Sequence, residues 1–318
     1  SYYIFSNQKG TFLRIFLRIV PFTVLRFFPV QSVQLSIPLL LSNLFLQLNG
    51  VVDKALCSYL GEGFASNYQY AYTLEQFVTG TITATLSLIL LSRYSTYVAE
   101  HDTERLTGEF HRSVSGLVLL LAPIALLACI FSADLVRIVY LRGEFDADAA
   151  RYTAQALISF AVGFPLVAIR EMLIRLHFAY QNTKMPMLSN IASVVLNAAL
   201  SILLARYIGI LGIALATSLS AMLTIFLLNR SARQYIPQHR FSAFFPLFWR
   251  VALACALAAL PALALRRWLP AASLAGLLAR FLLSALCAAA VYLAALLAVR
   301  CPELKQALQG LRGRLRGR

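Results

Sequence analysis

The sequence predicts an all-α polytopic membrane protein of eight transmembrane helices, arranged as a six-helix lobe followed by two further helices. Eight apolar stretches fill most of the 318 residues, each long enough to cross a hydrocarbon core of about 30 Å at about 1.5 Å per residue. Hydrophobic residues make up 60% of the chain and charged ones 13%, with a mean hydropathy of +0.73. A soluble protein of that composition would need helices that are apolar on every side. The first six stretches are interrupted by Asn, Gln, Ser and Thr, in three of them along one helical face, whereas the last two are almost wholly Ala and Leu.

Residues 1–31 precede the first span. Arg14, Arg18 and Arg26 punctuate an otherwise apolar run there; they would be costly at mid-bilayer but are comfortable at headgroup level, so an interfacial amphipathic or cytoplasmic segment is expected. The chain opens on Ser1 with no cleavable leader pattern ahead of the first span, and we expect it to be the later part of something longer. The predicted spans cover residues 32–53, 70–92, 113–132, 153–178, 187–206, 210–229, 243–265 and 275–299. This gives a transport lobe at 32–230, two accessory helices within 231–300 and a basic tail at 301–318.

The net charge of +15 sorts by side of the membrane. With the N-terminus inside, 17 Lys and Arg fall on the inner side and 8 on the outer. That bias predicts both termini in the cytoplasm, and with them the loops near residues 100, 182 and 236. The tail LRGRLRGR is expected to rest on anionic lipid, not nucleic acid. Five scattered cysteines, Cys57, Cys129, Cys255, Cys287 and Cys301, have neither metal-ligand nor redox spacing and are read as small packing residues.

The polar stripes carry the chemistry. Asn43, Gln47 and Gly50 form one line on the first span, and Ser42, Asn49 and Asp53 an adjacent one. Thr73, Gln76, Gly80, Thr83 and Ser87 share a face of the second. Asn190, Ser193, Asn197 and Ser201 share one of the fifth. Such faces do not look at lipid. They serve either as interhelical hydrogen-bonding glue or as the lining of a wet cavity, and charge inside the spans favours the cavity. Glu75, Arg170 and Glu171 join the expected lining, with Glu171 and Arg175 spaced to pair at i, i+4. The substrate cavity is thus expected to use Asn43, Gln47, Asn49, Thr73, Glu75, Gln76, Thr83, Arg170, Glu171 and Asn190. Gly212, Ala216 and Ser220 on the sixth span form a small-residue ridge suited to close helix packing.

No residue is expected to be catalytic. The chain has no H-E-x-x-H, G-x-S-x-G or phosphate-loop motif, and the acid-rich segments 100–109 and 143–151 read as connections and helix starts.

Four segments, LFLQLNGVVDKALCSYLG (44–61), YAYTLEQFVTG (70–80), LRGEFD (141–146) with the helix ending HFAYQNTKMP, and VVLNAALSILLARYIGILGIALATSL (194–219), resemble in order and spacing the second half of MurJ/MviN proteins. Those are lipid II flippases of the multidrug/oligosaccharidyl-lipid/polysaccharide (MOP) exporter superfamily. The resemblance implies a second MOP-type lobe plus two final helices, with a first lobe as partner ahead of them. It implies a bacterial inner-membrane flippase for a polyprenyl-linked saccharide, working by alternating access and driven by membrane potential or a cation gradient. No organic cofactor is implied. Na⁺ is, at positions matching Asp53, Asn197, Ser201, the carbonyl of Ile213 and the hydroxyl of Thr217. Where many relatives read Y-A-D-R-L, this chain reads Tyr70, Ala71, Tyr72, Thr73, Leu74, and where many carry a lone Lys it has Glu171. The cargo is therefore open between lipid II and a related lipid-linked glycan. The alternatives are a polysaccharide or small-molecule antiporter of the same superfamily and a non-transporting membrane scaffold.

Overall fold

The structure is a computed structural model that describes residues 30–140, 145–239, 241–269 and 273–304, with side chains from residue 40 onward. The predicted interfacial segment before residue 30 and the tail beyond residue 304 lie outside the described residues. The described residues form helices α1 (Val30–Tyr59), α2 (Phe64–Ala99), α3 (Thr103–Ile130), α4 (Ser132–Tyr140), α5 (Ala147–Ala179), α6 (Lys184–Ile208), α7 (Ile210–Ala232), α8 (Phe245–Trp268, entered through a 3₁₀ turn at Phe241–Phe244) and α9 (Leu274–Ala298).

Seven of them are long and apolar enough to cross a membrane: α2, α3, α5, α6, α7, α8 with its 3₁₀ turn, and α9. The chain is a multi-pass membrane protein. α1, which holds the first predicted span, is a 30-residue helix outside that set. The outer surface is apolar, with Leu88, Phe226, Leu260 and Leu286 each more than 60% exposed, as suits helices facing lipid rather than water. The only two tryptophans in the chain, Trp249 and Trp268, stand exposed near the two ends of α8. Their separation along the helix is about 28 Å, roughly one hydrocarbon thickness, which places both indoles at the levels where tryptophan accumulates in bilayers.

Local chemistry sets the connections. Gly61 and Gly63 take positive φ (136° and 82°) between α1 and α2, a conformation that residues bearing a Cβ resist. Both acid-rich segments prove to be helix starts. Asp102 accepts from the Arg105 amide at 2.9 Å at the head of α3, and Asp146 from the Ala149 amide at 2.7 Å at the head of α5. α6 and α7 are joined through Gly209 alone, whose φ is +59°.

α5 is the central post, packed against α2, α3, α4 and α7 and buried along most of its length. α6 packs on α7 and α1 and inverts the soluble-protein pattern. Its buried residues are Pro186, Ser189, Asn190, Ser193, Asn197 and Ser201, so its apolar side chains look outward. The ridge on α7 allows a close approach: a Cβ on Gly212 would sit 2.5 Å from the Leu204 carbonyl oxygen of α6. Backbone cannot swing away as a flexible side chain can. Gly212→Ala is therefore expected to destabilise the fold by about 1–3 kcal/mol, measured as a lower unfolding midpoint in nanodiscs. An unchanged midpoint would mean the two helices slide apart freely.

α8 and α9 pack on each other and reach the other helices mainly through α3 and α4. The Tyr292 hydroxyl donates to the Leu119 carbonyl at 3.0 Å, Asp134 of α4 meets Arg280 of α9 at 2.6 Å, and Arg266 donates to the Ile130 carbonyl. Near the start of α8, His111 Nε2 lies 2.8 Å from His239 Nδ1, and His239 Nε2 lies 2.8 Å from Asn229 Oδ1. Burial, with His111 and Arg233 nearby, pushes the His239 imidazole down to about 4. It is thus neutral at physiological pH and passes one N–H along the chain from His111 to Asn229. Among the described residues all five cysteines are free thiols.

Candidate substrate cavity and cation site

Four helices surround a polar cavity of about 370 Å³. α1 contributes Asn43, Gln47, Asn49, Asp53 and Lys54, and α2 adds Tyr68, Tyr72, Glu75 and Gln76. α5 supplies Phe160, Gly163, Val167 and Arg170, and α7 supplies Thr217 and Ser218. A cavity this size with neutral amides, phenols and both signs of charge can hold a polar headgroup.

Of the ten residues expected to line it, six do: Asn43, Gln47, Asn49, Glu75, Gln76 and Arg170. The other four sit elsewhere. Thr73 is exposed and donates to its own helix at the Gln69 carbonyl, 2.8 Å away. Thr83 is buried and donates to the Thr79 carbonyl at 2.6 Å. Glu171 is held between Arg170 (3.6 Å) and Arg175 (3.4 Å), so the expected Glu171–Arg175 pair forms. Asn190 donates to Ser42 Oγ at 2.7 Å, gluing α6 to α1.

The predicted stripe on α6 therefore divides. Its first half is glue, through Asn190 and through Ser193, which donates to the Ser220 carbonyl at 2.9 Å. Its second half, Asn197 and Ser201, turns to Asp53. The Ser201 hydroxyl lies 3.4 Å from Asp53 Oδ1 and 3.3 Å from Asn197 Oδ1. The Asn197 amide donates to Thr217 Oγ1 at 3.1 Å. Thr217 Oγ1 in turn lies 3.5 Å from Asp53 Oδ2 and 3.4 Å from the Ile213 carbonyl. All five positions that the resemblance marked for Na⁺ meet in one place.

Two donors to the Asp53 carboxylate come on top of these: Tyr68 at 2.9 Å and Asn49 at 3.2 Å. Tyr68 has no place in the sequence reading. A tyrosine in an apolar run reads as core or membrane belt, and only the fold brings it back to Asp53 from fifteen residues on.

Asp53 is 1% exposed, and no Lys, Arg or His lies within ion-pair distance of it among the described residues; neighbouring Lys54 does not reach it. A buried carboxylate with hydrogen-bond donors but no countercharge is expensive. Each serine and threonine hydroxyl here has one proton and two oxygen acceptors at 3.3–3.5 Å. The Asn49 carbonyl oxygen is buried with no partner. Oxygens in excess of protons, one negative charge and loose spacing are the donor set of a hard monovalent cation, so the residues fit Na⁺.

Arg170 carries the complementary charge. It lines the cavity with its Nε buried and unpartnered. Glu75, 5% exposed, accepts from Thr79 at 2.8 Å and Gln76 at 3.0 Å. Tyr72 also lines the cavity and accepts from the Gln76 amide at 3.1 Å.

The family model described as lipid II flippase MurJ matches residues 30–285. A probable lipid II flippase MurJ of Rhizobium tropici is 29% identical over 189 residues, 59% of this chain and 35% of that protein. The lipid II flippase MurJ of Burkholderia cenocepacia is 26% identical over 188 residues, 59% and 36%. The chain thus spans little more than a third of the length of these curated relatives. Among solved structures, lipid II flippase MurJ in an inward closed conformation superposes with a TM-score of 0.66 at 22% identity, over 81% of this chain and 51% of that one. A MATE transporter in a straight conformation gives 0.52 at 16%, over 87% and 67%. These two likenesses are of fold.

Proposed function

Because the chain belongs to the lipid II flippase MurJ family, we propose that it forms the cavity-bearing second lobe and accessory pair of a flippase. The flippase moves a polyprenyl-linked saccharide across a bacterial inner membrane by alternating access. The observation that carries this reading is the polar cavity between α1, α2, α5 and α7, with Arg170 and Lys54 in its wall. Arg170 attracts the phosphate joining lipid to sugar, while Asn43, Gln47 and Gln76 hydrogen-bond sugar hydroxyls. A first lobe closes the cavity from the other side. α1 counts as the eighth span. Both termini face the cytoplasm, and the ends of α1 and α8 face outward, supported by the 17 to 8 split of basic residues. Residues 32–230 act as the transport lobe and 231–300 as the accessory pair.

Na⁺ would be held by Asp53, Asn197, Ser201, Thr217 and the Ile213 carbonyl, supplying the charge that couples transport to a cation gradient. On the protein side, Tyr68 and Asn49 orient the carboxylate, and the cage lies beside the cavity, since Asp53 and Thr217 line both.

The test is a flipping assay on the protein with its preceding lobe, in vesicles carrying fluorescent lipid II, read by protection from an external quencher. Arg170→Ala is expected to slow flipping about tenfold, with expression and unfolding midpoint retained. Transport of small dyes with no lipid movement would sink the reading.

A further inference from the structure

Three side chains of α2 in the cavity wall are joined through one nitrogen. Glu75, Gln76 and Tyr72 all line the substrate cavity. Gln76 Nε2 lies 3.0 Å from Glu75 Oε2 and 3.1 Å from the Tyr72 hydroxyl oxygen. Tyr72 and Gln76 stand one helical turn apart, and Glu75 precedes Gln76 in the chain.

The polarity of both bonds follows from the acid. An ionised carboxylate offers acceptors only, so the end of the Gln76 amide that faces it is the NH₂ and the carbonyl oxygen is turned away. The same nitrogen meets Tyr72. An amide NH₂ can only donate, so the phenol accepts there and does not donate. Of the in-plane orientations open to a phenolic O–H, the one toward Gln76 is therefore closed, and the proton turns to the other side.

The parts are held in place. Glu75 is 5% exposed, and its second oxygen meets the Thr79 hydroxyl at 2.8 Å. The Tyr72 ring lies 6.0 Å from Phe160 of α5 and parallel to Tyr68 at 6.5 Å between centres. Both of those rings also line the cavity, as does Arg170 on α5. A phenol whose oxygen is already an acceptor is polarised toward giving its own proton away.

We propose that Tyr72 donates a hydrogen bond to the phosphate of the cargo and that Glu75, acting through Gln76, is the positioning residue that sets this polarity. The proposal rests on the flippase reading and adds to it a neutral donor on α2 that works with the Arg170 guanidinium on α5. A diphosphate has acceptors enough for both. Gln76 keeps its carbonyl oxygen for a sugar hydroxyl. By Coulomb's law alone, Glu75 repels the anion that Arg170 attracts, so a purely electrostatic role and a positioning role predict opposite effects when its charge is removed.

The probes are tritiated farnesyl diphosphate and its uncharged counterpart farnesol. Each is bound to the protein with its preceding lobe in phosphatidylcholine nanodiscs and counted by scintillation proximity against empty nanodiscs. The wild type should prefer the diphosphate at least about tenfold. Tyr72→Phe, which loses only the hydroxyl, should weaken diphosphate binding about tenfold. Glu75→Gln lets the Gln76 amide turn over and capture the phenolic proton, and should weaken it about fivefold although a negative charge has gone. The double variant should bind no more weakly than Tyr72→Phe alone, because both changes remove the same hydrogen bond. Unchanged farnesol binding and unfolding midpoint in each variant report that the cavity is intact. Tighter diphosphate binding in Glu75→Gln would overturn the proposal, since the acid would then act through its charge. Unchanged affinity in Tyr72→Phe, with the preference lost in Arg170→Ala, would also overturn it and leave the flippase reading standing. A wild type that binds both probes equally, with Arg170→Ala making no difference, would bring down both.

Discussion

Asp53→Asn is expected to abolish Na⁺-dependent stabilisation and Na⁺-dependent flipping while leaving the helices assembled. The carboxylate is the only formal charge among the oxygens that meet between α1, α6 and α7. Asn keeps the shape and the hydrogen bond from Tyr68, but not the charge. At a Na⁺ concentration about 100-fold above its Kd, a bound ion stabilises the folded state by about 2.7 kcal/mol, and this is the quantity that should vanish. The measurement is the unfolding midpoint in Na⁺ against Na⁺-free buffer at equal ionic strength. Thr217→Ala should give a partial loss. If Asp53→Asn raises the midpoint in both buffers and transport persists, the carboxylate is held by a proton and the cation site falls.

Asp134→Asn should be the most damaging substitution between the accessory helices and α4. Asp134 and Arg280 are 5% and 13% exposed and lie 2.6 Å apart. Removing one partner leaves the other charge buried without compensation, which costs about 3–5 kcal/mol. A lower unfolding midpoint and faster cysteine labelling along α9 would report it. The double variant Asp134→Leu with Arg280→Leu should recover much of the loss, because an apolar pair of similar volume often replaces a buried ion pair at little cost. A change below about 1 kcal/mol for Asp134→Asn would mean that water reaches the pair.

How far the sequence could be read depends on the range of each interaction. Helices were legible because a bilayer demands long apolar runs, and the α6 stripe because Asn and Ser at 3-4 spacing have one face to share. The α2 face was placed slightly askew. Thr83 and Ser87 are on its buried side, but Tyr68, Ala71 and Glu75 hold the place given to Thr73. Polar residues alone marked the predicted stripe, whereas packing against α5 decides the buried one. The Asp53 cage was legible only through family resemblance, because its members come from three helices and spacing within one helix says nothing about the others. Tyr68 on Asp53 and Arg280 on Asp134 escaped for that reason: neither residue has a local partner that would mark it as anything but belt or surface.

The centre of α5 limits how the cavity can change. Gly163 faces Ser218 of α7 so closely that an added Cβ would fall 2.5 Å from Ser218 Oγ, and the Ser218 hydroxyl donates to the Ser159 carbonyl at 3.1 Å. Two helices locked at that spacing cannot slide past one another without breaking both contacts. Two residues on, Pro165 lies inside α5. It has no amide hydrogen to give the Ala161 carbonyl, and its ring crowds the turn before it. The hydrogen-bond ladder of α5 is therefore weakest between its contact with α7 and the part that carries Val167 and Arg170 into the cavity wall.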